Sequence, residues 1–290
     1  MNILGTMRIG AALLAAALPA LPGADGALER AREQYEKTDY AAALKTLDAI
    51  PQKDAAVYEL IGKSLYMQGE FKRASQAFEK AVKAQPSSST LQNWLGRAYG
   101  RRAETASFIS APGLASKARA CFERAVELDP KNLDAVSDLF EYYLEAPGFM
   151  GGGLDKAEAL ARRVQSVNPA EHHYMLARVA EKRKQYPAAE EQLRRAIQAA
   201  PRQVGRVLDL AKFLALRGRT DESEAAFKEA ERLAPGAPKV MFARANTYVQ
   251  TGRNLDTARA LLRQYLQSPL TPDDPPRSEA ERLLKKLSDS

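Results

Sequence analysis

The chain has 290 residues, 45% hydrophobic and 27% charged, so it has enough apolar material to bury a core and is no disordered or low-complexity tract. Its net charge of +7 is spread over interleaved basic and acidic residues, as in Lys72–Lys83 and Glu123–Lys131. That argues against nucleic-acid binding, where positive charge gathers in one stretch, and leaves only a mild preference for acidic partners.

Residues 1–26 read as a secretory signal. Arg8 gives a basic start, Ile9–Leu18 is an unbroken apolar or small run, and Pro19 and Pro22 break any helix. Ala24 and Gly26 then mark cleavage after Gly26. The run is shorter than the roughly 20 apolar residues of a membrane span, and no cysteine follows it to carry a lipid anchor. The expectation is an exported chain, periplasmic or secreted, beginning at Ala27. An uncleaved leader would make it a membrane-anchored structural protein instead.

Residues 27–270 are repetitive. From Gly62, steps of twelve, four and three residues reach Ala74, Phe78 and Ala81, and Pro86 follows. The same steps lead from Ala177 to Ala189, Leu193, Ala196 and Pro201, and from Ala211 to Ser223, Phe227, Ala230 and Pro235. Ala177, Ala211 and Ala245 are 34 residues apart, as are Gly62 and Gly96. A small residue, a large one four on and a small one three further form one stripe of a helix. Two antiparallel helices then cross closely at the small residues, and the large one fills the space between. Proline stops the second helix, and glycine in Gln68–Phe71 and Arg217–Thr220 supplies a left-handed turn between the two.

Seven units are counted. The first is degenerate, with Ala31, Ala43, Leu47 and Ile50 in step but an early Pro51; the last runs through Ala245, Ala258, Leu262 and Tyr265. Residues 271–290 then give a proline-rich break and a polar capping helix, Arg277–Ser288, which covers the last apolar face. Two units are long in the same place. Gly96 to Ala118 and Phe140 to Ala157 exceed the twelve-residue step, with the extra residues near 101–116 and 145–153. Both insertions fall between the two helices of their units, so they should neighbour each other on one edge. The glycine run Gly151–Gly153 has no Gly-Lys-Ser/Thr and no strand before it, so it is no phosphate loop. It reads as a tight turn that tucks Phe149 and Met150 against the array, or else as a partner-contact loop that exposes them.

The spacing resembles the tetratricopeptide repeat family over nearly all of the chain after the leader, best at Tyr58–Pro86, then at Trp94–Gly100 and Ala118–Pro130. The resemblance implies an all-α solenoid of helix-turn-helix units in a right-handed superhelix, with first helices lining a concave groove. The residues just after each marker would face that groove: Lys63, Arg97, Glu141, Arg178, Lys212 and Asn246. Lys63, Arg97, Arg178 and Lys212 form a candidate basic stripe for an acidic peptide, with Tyr174 and Phe242 as apolar anchors. Family members that clamp chaperone tails use Lys, Asn and Arg in three successive units. Here Asp134, Asp138 and Glu141 break such a clamp. The rival surface is the edge loop Pro147, Gly148, Phe149 and Met150.

Nothing in the sequence marks a catalytic, metal or cofactor site. The only histidines are His172 and His173 at a helix start, and the single cysteine, Cys121 beside Phe122, reads as a small buried hydrophobe. The expected function is therefore a non-enzymatic interaction module or scaffold for exported or envelope proteins.

Overall fold

The computed structural model describes residues 24–288, which form fifteen α-helices, one short 3-10 turn and no strand. The leader expected at residues 1–26 lies outside the described residues as far as residue 23. No described helix is long and apolar enough to cross a membrane.

The second unit shows how a pair is built. Asp54 caps α3 (Ala55–Met67) by accepting from the Val57 N–H at 2.9 Å. Gly69 then turns the chain at φ +79°, and α4 (Phe71–Ala84) ends just before Pro86. Phe78 of α4 is fully buried against Gly62 of α3, where an added Cβ would lie 2.6 Å from the ring. Gly96 faces Phe122 in the same way, also at 2.6 Å. The remaining pairs are α1 (Ala24–Glu36) with α2 (Tyr40–Asp48), α5 (Ser89–Thr105) with α6 (Ala111–Leu128), and α7 (Leu133–Glu145) with α8 (Leu154–Arg163). They continue with α9 (Pro169–Lys182) and α10 (Tyr186–Ala199), α11 (Val204–Leu216) and α12 (Thr220–Leu233), and α13 (Pro238–Thr251) and α14 (Leu255–Gln267). The expected stripe residues are buried in every unit. The fourth unit inverts the sizes: large Phe140 stands on the first helix and small Ala161 on the second, both buried in one cluster. Gly218 repeats the left-handed turn of Gly69, whereas Thr38 and Lys184 hold the same positive φ without glycine.

The two insertions differ in kind. The extra residues of the third unit are mostly helix, not loop. α5 and α6 have 17 and 18 residues against 13 and 14 in α3 and α4, so they project one further turn. Its Ala-Pro-Gly opens α6, with Pro112 in the first turn, where the missing N–H costs nothing. The fourth unit's insertion is a true loop, 146–153, holding the 3-10 turn Gly148–Met150. The loop is reached from the third unit by Arg119 of α6, just past that unit's insertion, which donates to the Met150 carbonyl at 3.2 Å.

The last helix, α15 (Arg277–Ser288), packs on α14 and α13 as the first helix of an eighth unit would. It buries Ala280, Leu283 and Leu287 on Leu262 and Tyr265. The segment leading into it also meets the start of the array. Leu270, Pro275 and Glu281 share a cleft of about 270 Å³ with Tyr40, Met67 and Gln68, and Glu279 approaches Arg101 at 4.0 Å. The superhelix thus brings its two ends together.

Candidate protein-binding groove

The face formed by the first helices carries an extended polar network. At its N-terminal part, Trp94 of α5 lies beneath both Lys63 (5.4 Å) and Arg97 (4.9 Å). Lys63 pairs with Glu59 at 2.5 Å, and Arg97 with Asp138 of α7, which also accepts from Asn93 at 2.8 Å. Burial raises the Asp138 carboxyl above its ordinary range, against the pull of Arg97. Further along, Arg178 of α9 holds Glu141 of α7 through two bonds, at 2.6 and 3.3 Å, and donates to the Tyr174 hydroxyl at 3.0 Å.

The four basic residues stand on the first helices α3, α5, α9 and α11, and three of them are neutralised by carboxylates from their own helix or from the first helix of an adjacent unit. The bare cationic stripe expected from the sequence is corrected to an alternation of charges. The reason is helix stacking: Glu141 and Asp138 of α7 lie between the arginines of α5 and α9, the first helices of the units on either side. Phe242 is a second correction. It is buried against Tyr265, ring centroids 5.2 Å apart, because the cap closes over that end of the array.

A cleft of about 280 Å³ opens where α7, α9 and α11 converge, and it gathers Tyr174, Arg178 and Lys212 from the expected set. Leu216, Phe213 and Tyr174 give it apolar wall; Glu181 and Asp209 give it acid. Burial raises both carboxyls, Asp209 to about 6 despite Arg206 at 3.1 Å. Lys212 is exposed at the rim near Glu181. The cleft floor is a network that sequence reasoning missed. Arg206 of α11 is bonded to Glu171 of α9, both nearly buried, and stacks on Tyr174 at 4.3 Å, while Ser137 of α7 donates to Glu171 at 3.1 Å. The one signal was an arginine and a glutamate at core-facing positions near helix starts, among residues that otherwise read as surface charge.

The edge loop is held rigidly. Met150's carbonyl also accepts from the Tyr142 hydroxyl at 2.9 Å, Lys156 reaches the Gly151 carbonyl at 2.9 Å, and the Gly153 N–H reaches Tyr143 at 2.8 Å. Gly151 is left-handed at φ +88°, and a Cβ at Gly152 would strike the Ala146 carbonyl oxygen at 1.8 Å. The expectation that the loop tucks Phe149 away is corrected: Phe149 is 88% exposed, and only Met150 packs partly inward. Pro147 and Gly148 shape the turn that lifts it.

The histidines are structural. His172 is buried on the Ala161 carbonyl at 2.9 Å, and His173 pairs with Gln192 at 2.7 Å. No group of three metal-binding side chains occurs among the described residues. Cys121 is half-buried, its thiol pushed up to about 11 by burial.

The tetratricopeptide repeat family model matches residues 60–111, 151–204 and 208–275, and a second model of the same repeat matches 113–132. The chain belongs to the tetratricopeptide repeat family. Among curated proteins none matches it. Solved structures do. One is a tetratricopeptide repeat protein from Parabacteroides merdae, 14% identical, covering 91% of this chain and 98% of that one with a TM-score of 0.58. Another is the human IFIT1 dimer with PPP-AAAA, 19% identical, covering 84% of this chain but 55% of that one, with a TM-score of 0.55. At these identities the likeness is one of fold. Tetratricopeptide repeats support a protein-interaction scaffold, and this chain offers both a groove and a rigid edge to serve as one.

Proposed function

We propose that this chain recruits a partner protein by seating a peptide segment in the cleft between α9 and α11, and that it does so outside the cytoplasm. The observation that supports the binding mode is the juxtaposition of exposed apolar wall at Leu216 with two acids that burial disfavours, Glu181 and Asp209, and a rim lysine, Lys212. A partner's cationic side chain reaching the acids would relieve their desolvation, while an acidic one meets Lys212. The partner segment is therefore mixed in charge around an apolar anchor, instead of uniformly acidic. The exported setting rests on the order of charge, apolar run and small residues in 1–26.

Crosslinking pull-down from the native envelope tests this with two variants side by side. Lys212→Glu with Leu216→Ser should remove the partner, and Phe149→Ser should spare it. A loss only in the Phe149 variant, with its thermal melt unchanged, assigns binding to the edge loop, whose exposed ring on a rigid turn is the specific alternative. N-terminal sequencing tests export: a mature chain starting at Ala27 is expected, and an intact Met1 in the membrane pellet refutes cleavage.

A further inference from the structure

The most exposed large apolar residues of the described chain are Phe108 (95%) and Ile109 (90%), and neither lies in the groove or the edge loop. They occupy the two central positions of the turn between α5 and α6. That turn is closed by the Ser110 N–H to the Ser107 carbonyl at 3.0 Å, by the Ala111 N–H to the same oxygen at 2.9 Å, and by the Ser107 and Ser110 hydroxyls 2.9 Å apart. Such positions ordinarily carry glycine, asparagine, aspartate or serine. Folding gains nothing from a Phe-Ile pair there.

The tip also projects. Each of its helices is about one turn longer than its counterpart in the second unit, so it stands roughly 6 Å proud. From Thr105 to Ser116 there is no ionisable side chain. Behind this uncharged zone come Arg101 and Arg102 on α5 and Lys117 on α6, the last about 9 Å below the start of its helix. Lys72 and Arg73 of α4 flank a cleft of about 680 Å³ shared with Arg102, Thr105 and Leu114. Glu70 and Glu104 pair with Arg73 and Arg101, at 2.6 and 2.7 Å. Lys72, Arg102 and Lys117 leave this end positive. Arg102 is engaged with the Ser75 hydroxyl at 2.8 Å, and Lys117 lies over the Tyr99 ring at 5.4 Å.

We propose that this hairpin tip inserts Phe108 and Ile109 into the interfacial region of a bilayer carrying anionic lipids, with Lys72, Arg102 and Lys117 at the headgroups. The layering is that of a membrane surface in cross-section: apolar side chains foremost, then hydroxyl and small residues, then cations 5–10 Å behind, on the order of the depth that interfacial segments reach. Phe108 and Ile109 do not line the cleft on the hairpin's flank; as a convex point of two residues they have no rim of their own with which to grip a protein, whereas they need none to enter lipid. The tip lies on the turn edge, away from the first-helix face, so insertion leaves the groove open, and this inference is independent of the peptide-binding reading.

The test uses the full chain with Phe108→Trp, mixed with vesicles of phosphatidylglycerol and phosphatidylethanolamine bearing brominated acyl chains, with the wild type as the Trp94 baseline. Leu216→Trp places an indole at the partly exposed end of α11, on the groove wall and away from the tip, so any attachment through residues 1–26 acts on both variants alike. The expected result is a blue shift and quenching of the indole at position 108 and neither at position 216. Adding Lys117→Glu should raise the lipid needed for half-saturation roughly tenfold, and added salt should act in the same direction. Equal quenching at both positions, or an indole at 108 untouched by the vesicles, overturns the proposal. In the latter case a contact of the tip with a protein becomes the reading to pursue.

Discussion

At the residue scale, the contacts that hold the array together are pairs of complementary size. Gly62 exists because the Phe78 ring fills the place of its Cβ. Gly62→Ala should therefore overpack the second unit, costing about 1–3 kcal/mol, and Phe78→Ala should cost about 3–5 kcal/mol. The double change Gly62→Ala with Phe78→Leu recreates the pairing of Ala177 with Leu193 and should cost less than the sum of its parts. Hydrogen exchange of α3 and α4 measures each; strict additivity would mean that the two side chains do not share the space. Asp209 gives a second residue-level prediction. Burial raises its carboxyl from 3.8 to about 6, so between those values the folded chain binds more protons than the unfolded one, and stability falls as pH rises. Asp209→Asn removes that penalty, and its melting temperature should gain on wild type as pH goes from 4 to 7. Parallel profiles would show that the groove leaves this acid unperturbed.

At the scale of elements, α15 is half a repeat. Its Leu283 and Leu287 cover Leu262 and Tyr265, the Tyr265 hydroxyl donates to the Pro275 carbonyl, and Arg277 donates back to the Leu266 and Ser268 carbonyls. A solenoid ending at Gln267 would expose that face to water. Truncation before Arg277 should loosen α13 and α14 first, seen as lost exchange protection confined to that end, together with a tendency to associate through the bared surface. Uniform loosening of all seven units would instead mean that the array unfolds as one cooperative body. Cap, proline stops and helix pairs were legible because each follows from local periodicity. The one-turn extension of α5 and α6 was not, since Ala111-Pro112-Gly113 reads equally as a turn or as the opening of a helix.

At the scale of the molecule, the ends meet. Thr38 and Tyr40 from the first unit, Met67 and Gln68 from the second, and Leu270–Glu281 from the tail share one cleft. With Cys121→Ala as background, spin labels at the exposed Gln68 and Glu281 should give a single short, narrow distance distribution. A broad distribution extending to long distances would mean that the closure is transient and that the groove breathes open.

The sequence by itself determined the repeat, its register and the residues between paired helices, because a 34-residue period fixes those from spacing alone, whereas the facing of Lys63, Arg97, Arg178 and Lys212 was implied only by the resemblance to the repeat family. The tertiary structure decided which groove charges are already answered, that Phe242 is core, that Phe149 and Phe108 point to solvent, and that the tail reaches the first unit. Each of these depends on neighbours supplied by another helix or by the far end of the chain. Small rotations between successive units, summed over seven, set where those neighbours fall, and no single repeat carries that sum.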